Sequence, residues 1–355
     1  MKGIKLTPAG IVGELTEFNQ KLISSYGTLL GIDDIDVGQT PSEVLYREDK
    51  LQLVRYCSDT PRACRTPVLI CYALVNRPYV VDLEPKRSMV RRLLERGLDL
   101  YLIDWGYPDA ADRCLDLDDY INGYLDTCVD QVRAHSGEDR INLLGICQGG
   151  TFSLFYTALY PEKIRNLITM VTPVDFQTED NLLSHLAREV DTDLAVDTYG
   201  NIPGEMLNDS YNSLMPMRLG IQKNLAMPNQ LEDREKALSF LRMEKWIYDS
   251  PDQAGEAFRQ FVKDCFQQNK LVKNEMRIGD QRVDLARIRQ PLLNIYGAQD
   301  HLVPPSASTP LADLTSTSDY EELCVPAGHI GVFVSGRVQK LVPPRIADWL
   351  IARDD

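Results

Sequence analysis

A mostly apolar run of strand length, Ile141 to Ile146, ends in Gly145-Ile146-Cys147-Gln148-Gly149-Gly150 and passes directly into a helical segment, Thr151 to Leu159. A strand that is apolar on both faces belongs inside a parallel sheet, because crossover helices cover both of its sides. The turn between strand and helix has to be sharp. Gly145 and Gly149 stand two positions either side of Cys147, where a side chain would collide as the two elements converge. A chain carrying this juncture is confined to α/β architectures with a reactive side chain at the carboxyl end of a central strand.

The remaining pattern agrees. VLYR and LQLVRY flank the polar Glu48, Asp49 and Lys50 and predict a hairpin. Val68 to Val75 reads as a buried strand, Met89, Val90, Leu93 and Leu94 as a helix stopped by Gly97, and Leu100 to Ile103 as the next strand. Ile121, Tyr124, Leu125, Cys128, Val129 and Val132 place one apolar face on a helix ending near Gly137. Leu167 to Val171 is a further strand. Strand, helix, strand with right-handed crossovers gives a mostly parallel sheet with helices on both faces.

After Pro173 the alternation breaks. From about 176 to 285 the sequence is helical and irregular, with a loop TYGNIPGE. Ser250, Pro251 and Gln253 read as a cap, first-turn proline and capping-box partner leading into Phe258, Phe261, Val262, Cys265 and Phe266. The strand pattern resumes at Leu292 to Tyr296 and Glu321 to Val325, and a last helix runs from Pro344 through Trp349. Both halves of the sheet are needed for one core. The expected division is therefore a catalytic core of 1–175 and 286–355 with an inserted cap subdomain, 176–285.

With 38 Lys and Arg against 52 Asp and Glu in 355 residues, the net charge of −14 excludes a nucleic-acid binder held by a general basic field. A hydrophobic share of 44% with 25% charged residues is that of an ordinary soluble globular protein. No apolar run reaches the roughly 18 residues that a membrane span needs. MKGIKLTPAGIVGEL is broken by Lys5, Pro8, Gly10, Gly13 and Glu14 and lacks the apolar stretch of a secretory signal, so a cytoplasmic protein is expected. Its eight cysteines are then expected reduced, most of them as small buried hydrophobes. There is no C-x-x-C pair and no H-E-x-x-H, and the four histidines are scattered at 135, 185, 301 and 329, so no metal site is expected.

An elbow nucleophile needs a base and an orienting acid, and this architecture supplies them in the order nucleophile, acid, histidine. Asp300 follows a strand in AQDHLVPP, and His329 follows the next strand in PAGHIGV. The order Cys147, Asp300, His329 fits. His301 is the rival base, although its place beside Asp300 in the chain directs it elsewhere, and Asp104 in DWGYPD is the alternative acid or a turn residue. His135 and His185 lie in helical surroundings and read as surface residues. A free thiol, with a pKa of about 8.5, is only slightly ionised at neutral pH. His329 would take its proton while Asp300 fixes the tautomer. The oxyanion would meet the backbone N–H of Gln148 and one from Val75 or Asn76. Sulfur at the elbow also speaks about substrate: moving an acyl group between thiols exchanges like for like, so thioester chemistry fits better than plain ester hydrolysis.

At these residues the chain resembles the poly(3-hydroxyalkanoate) synthases, and in particular the short catalytic subunit of their two-subunit class III type. The likeness runs through GICQGG, YALVNRPYVVDL, YLIDWGYPD, LDDYINGY, MVTPVDF, FLRMEKWIYDSPDQAGE and QDHLVPP with GHIG. It implies an α/β-hydrolase-like fold, with Cys147 as acyl carrier, His329 as general base, and Asp300 as the acid that also helps activate the incoming 3-hydroxyl. It implies (R)-3-hydroxyacyl-CoA substrates, short chains such as 3-hydroxybutyryl being typical, with polyester and free CoA as products and no further cofactor. It also implies a non-catalytic second subunit of the PhaE type and a place at cytoplasmic polymer granules; a homo-oligomer, a dimer, is the expected assembly. Arg77 and His301 are candidate substrate contacts, Arg77 for the anionic CoA. The loop from Tyr199 to Gly204 is expected to move for substrate, and Trp246 with the Phe258 to Phe266 face to form the core of the cap. A capped acyl-CoA thioesterase and a non-catalytic granule scaffold are the alternative readings.

Overall fold

The computed structural model describes residues 16, 20, 21, 23, 27–216, 223–231 and 233–354, with the backbone alone for 223–226. The N-terminal stretch MKGIKLTPAGIVGEL lies outside them. Eight strands form one sheet: β1 (Ser42–Glu48), β2 (Leu51–Tyr56), β3 (Val68–Cys71), β4 (Leu100–Asp104), β5 (Ile141–Ile146), β6 (Ile164–Met170), β7 (Leu292–Gly297) and β8 (Tyr320–Val325). Their order across the sheet is β1-β2-β4-β3-β5-β6-β7-β8. The opening hairpin is antiparallel and β2 pairs antiparallel with β4, while every pairing from β4 to β8 is parallel. From β3 the chain moves to one side to make β4 and then returns to the other side to make β5. The carboxyl ends of β3 and β5 therefore flank a switch point, where an open sheet leaves a crevice for ligands.

The core strands are buried because their residues are mostly apolar on both sides, and the exceptions Asn142 and Asn294 donate to Thr66 O and Ser308 O. All of β5 is buried, as are all of β3 and β7. On one face α2 (Asp126–Ser136) and α3 (Gln148–Leu159) cover the sheet, and on the other lie α1 (Met89–Leu94) and α10 (Val342–Ile351). Gly97, at φ +78°, ends α1 by sending its own N–H to Leu94 O and the next N–H to Leu93 O, a Schellman closure. The helix read from Ile121 to Val132 begins as a wider π turn, Asp119–Leu125, before continuing as α2.

Two local expectations need correction. The apolar run Val68 to Val75 is a strand only as far as Cys71. Beyond it the backbone leaves the sheet: Tyr72 O accepts from Trp105 Nε1 at 2.8 Å, and Leu74 N donates to the Gln148 side chain at 3.1 Å. The capping box at Ser250 and Gln253 does not form. Gln253 instead exchanges both backbone bonds with Ile202, each 2.9 Å, and the helix starts at Gly255.

Between β6 and β7 the chain builds α4 (Leu182–Arg188), α5 (Thr192–Tyr199), α6 (Gly204–Leu214), α7 (Lys223–Leu231), α8 (Arg234–Tyr248) and α9 (Gly255–Phe261). The phenylalanine face belongs to the main core and not to a separate cap core. Phe261 meets Phe152 of α3, Phe176 and Phe266 edge to face at 5.9, 5.7 and 5.9 Å. Residues from Ala254 to Leu285 share one hydrophobic cluster with the sheet, so the chain rejoins the core well before 286.

Candidate active site

Cys147 sits between β5 and α3 at φ +54°, ψ −124°, a backbone conformation that L-residues avoid and that persists only where its surroundings enforce it. The surroundings are specific. Cys147 N donates to Met170 O of β6 at 2.9 Å, and its carbonyl accepts from Gly150 N at 2.9 Å and Thr151 N at 3.3 Å. A Cβ on Gly145 would lie 2.5 Å from both Gly150 Cα and Ser153 Oγ, and one on Gly149 would strike the Cys71 and Tyr72 carbonyls. The turn holds the Cys147 side chain half-buried at the end of the sheet.

Asp300 follows β7 and His329 follows β8; each is only 6% exposed. Asp300 Oδ1 accepts from Leu302 N and Val303 N, both at 2.9 Å. That leaves Oδ2 for His329 Nδ1, at 2.7 Å. Burial opposes a charge on His329, but the neighbouring Asp300 and Cys147 outweigh it and hold the imidazole well above its ordinary value; a hydrogen bond with the Cys147 side chain contributes. The three side chains expected from the motif order thus meet in space. It is His329, and not the adjacent half-buried His301, that pairs with the Asp300 carboxylate. His135 and His185 lie exposed on α2 and α4.

Asp104 has a turn role, accepting Gly106 N at 2.9 Å on Oδ1. Its other oxygen takes Arg77, the candidate contact for CoA. The guanidinium lies 2.6 Å from Asp104, donates to Gly106 O at 2.8 Å, stacks 4.1 Å from the Tyr107 ring centroid, and is 11% exposed. Its charge is already matched by a carboxylate and largely withdrawn from solvent.

Gln148, the first residue of α3, has a backbone N–H that the helix itself cannot satisfy. Val75 and Asn76 lie in the loop between β3 and a short turn at Pro78–Val81, with Asn76 at φ +57°. The Gln148 side chain ties that loop to the elbow through Leu74 N. No local pattern signals this tether, nor the two tyrosines that feel the charge of the thiol. Tyr72 after β3 and Tyr211 of α6 both have hydroxyls raised first by burial and further by negative charge at Cys147. The cysteines divide differently from expectation: Cys64, Cys71, Cys128 and Cys265 are buried, but Cys57, Cys114 and Cys324 are exposed, and all are free. Burial pushes the Cys64 and Cys71 thiols up to about 12, leaving them inert beside the elbow cysteine. Among the described residues no three His, Cys, Asp or Glu converge as a metal would require, and no helix is long and apolar enough to cross a membrane.

Sheet order, elbow and the Asp–His pair at successive strand ends define an α/β-hydrolase-fold protein with cysteine at the elbow. The model of the alpha/beta hydrolase fold matches residues 66–335, and that of the poly-beta-hydroxybutyrate polymerase (PhaC) N-terminus matches 30–93. Among solved structures, a monoacylglycerol lipase of Paleococcus ferrophilus shares the fold with TM-score 0.52 at 15% identity, over 86% of this chain and 100% of its own. The sequence relatives are much nearer. The poly(3-hydroxyalkanoate) polymerase subunit PhaC of Allochromatium vinosum is 55% identical over 99% of each chain. That of Synechocystis is 52% identical over 96% of this chain and 92% of its own. The chain belongs to the poly(3-hydroxyalkanoate) polymerase (PhaC) family.

Proposed function

We propose that this protein polymerises (R)-3-hydroxyacyl-CoA, with 3-hydroxybutyryl-CoA as the expected unit, into polyester with release of CoA. The observation that carries the reading is a cysteine, in place of serine, at the elbow beside a buried Asp300–His329 pair. With Nδ1–H donated to Asp300, the other ring nitrogen of His329 accepts the Cys147 proton. The sulfur attacks the thioester carbonyl, and the oxyanion is received by the N–H of Gln148 and that of Val75 or Asn76. As the carbonyl re-forms, the C–S bond to CoA breaks, and the imidazolium returns its proton to the leaving thiolate. The 3-hydroxyl of a second unit or of the growing chain then gives its proton to His329, with help from Asp300, and attacks the acyl-cysteine. An ester forms and Cys147 is freed.

The second step succeeds only if water is kept from the acyl-cysteine, a task suited to the helices between β6 and β7 acting as a cap. The segment around Tyr199 to Gly204 is the part we expect to move, and His301 remains a candidate substrate contact. A second subunit of the PhaE type, a homodimeric assembly and attachment to cytoplasmic polymer granules complete the proposal. Incubation with 3-hydroxybutyryl-CoA should release CoA and deposit insoluble polyester, and Cys147→Ala should do neither. Soluble 3-hydroxybutyrate appearing in step with CoA would replace the polymerase by a thioesterase; full activity in Cys147→Ala would remove the acyl-cysteine.

A further inference from the structure

Bonds from three parts of the fold converge on the last turn of α8 and the residue after it. Asn76 Nδ2 donates to Trp246 O at 3.4 Å and Ile247 O at 3.2 Å, and Trp246 Nε1 returns a bond to Arg77 O at 2.8 Å. Asn208 of α6 donates to the same Ile247 carbonyl at 2.7 Å. Asp249, whose N–H closes α8 on Lys245 O, accepts the Tyr79 hydroxyl on Oδ2 at 2.9 Å and the Tyr107 hydroxyl on Oδ1 at 2.6 Å. Tyr79 stands just beyond the loop after β3. Tyr107 follows β4 and is braced from its ring face by Arg77.

The segment from Leu74 to Tyr79 is therefore held at both ends, by Gln148 on the elbow side and by Asp249 on the α8 side. Within it Asn76 keeps a positive φ of 57°, which asparagine accepts more readily than other side chains. The same turn of α8 fixes α6 through Asn208, and α6 carries Tyr211 near Cys147.

Resting on the polymerase reading above, we propose that Asp249 is a positioning residue for the reaction at Cys147. Its carboxylate locks the end of α8 onto the loop after β3, which keeps the N–H of Val75 or Asn76 aimed at the site of the oxyanion. Asp249 touches no reacting atom. Because the oxyanion exists only in the transition state, loss of this lock lowers kcat and leaves KM nearly unchanged.

The test uses the full chain as wild type, Asp249→Ala, Asp249→Asn and Tyr107→Phe. CoA release from 3-hydroxybutyryl-CoA gives kcat and KM, and hydrogen exchange follows the peptide spanning 72–81 without substrate. Asp249→Ala is expected to lose about tenfold in kcat, less than the roughly 10²–10³ lost when an oxyanion donor is removed outright because here the donor is only displaced, with KM within about twofold. Asp249→Asn retains one acceptor oxygen and should fall between alanine and wild type; Tyr107→Phe should lose about threefold. Exchange in 72–81 should quicken in Asp249→Ala while β5 and β6 stay protected. A lowered Tm with kcat and exchange of 72–81 unchanged would overturn the proposal and leave Asp249 a structural residue. If Asp249→Ala does not fold, Tyr107→Phe decides, and unchanged kcat there also overturns it. The exchange measurement needs no turnover, so a wild type that makes free acid instead of polymer refutes the polymerase reading while the lock is still read independently.

Discussion

In an Asp300→Asn variant, Oδ1 can keep the bonds from Leu302 N and Val303 N, both 2.9 Å, so the loop should hold its shape and the change falls on His329. The other side-chain atom, now an amide nitrogen, faces His329 Nδ1 across 2.7 Å. A donor there obliges Nδ1 to accept, which places the ring proton on the nitrogen that has to receive the proton of Cys147. The thiol then has to ionise unaided. An ordinary thiol with a pKa of about 8.5 is about 3% ionised at pH 7, a deficit of about thirtyfold. The corresponding change in a serine triad costs about 10⁴-fold, since an alkoxide is far harder to form. Acylation should therefore slow by about 10²-fold at pH 7, between those bounds, and the gap to wild type should narrow toward pH 9 as thiolate forms without a base. A rapid-quench measurement of the first equivalent of CoA released checks this directly. A loss below about threefold at pH 7, or a gap that does not narrow with pH, refutes the reasoning. A normal first burst followed by no chain growth would move the role of Asp300 from the thiol to the incoming hydroxyl.

Phe261→Ala should cost about 3–5 kcal/mol in urea unfolding, because it removes one ring from three edge-to-face contacts in the main core; a loss under about 1.5 kcal/mol would show that this face is peripheral. His329 also links stability to pH. Its folded-state value lies above the ordinary one of about 6.5, so its stabilising contribution is complete below that pH and is lost as pH rises through the folded value. The destabilisation caused by His329→Gln should accordingly be larger at pH 6 than at pH 9.5 by urea midpoint, and a gap that grows with pH would show the proton to be bound less tightly in the folded chain.

The strand Ile141 to Ile146 and the turn after it are legible because their chemistry is local: mostly apolar residues on both faces, then glycines where backbone approaches backbone. Asp300 and His329 were legible for a related reason, since their positions after successive strands follow from chain order. Val68 to Val75 misled because an apolar run does not distinguish a paired strand from a buried loop, and only the bonds to Trp105 and Gln148 mark where pairing stops. Ser250, Pro251 and Gln253 misled because the backbone groups a cap would use were claimed by Ile202, about fifty residues earlier in the chain. The Gln148 tether and the partners of Asp249 left no local pattern, being polar pairs 74, 142 and 170 residues apart in sequence.

The pairing of β6 with β7 brings Leu167 beside Leu292, across 292 − 167 = 125 intervening steps of chain, and continues in register through Met170 and Ile295. Closing a loop of that size costs little more than closing one half as long, about 0.6 kcal/mol per doubling. Of the helices spliced in at this point, α4 to α8 can thus lengthen, shorten or be exchanged at little cost in loop closure, whereas α9 and the residues after it have to stay because they share the core of the sheet that carries the elbow. Access and selectivity can evolve, or be engineered by transplanting the segment, on a catalytic platform whose own folding hardly registers the change. The anchoring points at Asn76, Tyr79 and Tyr107 set the condition that any graft has to meet: where α8 ends, it must present acceptors for the same three side chains.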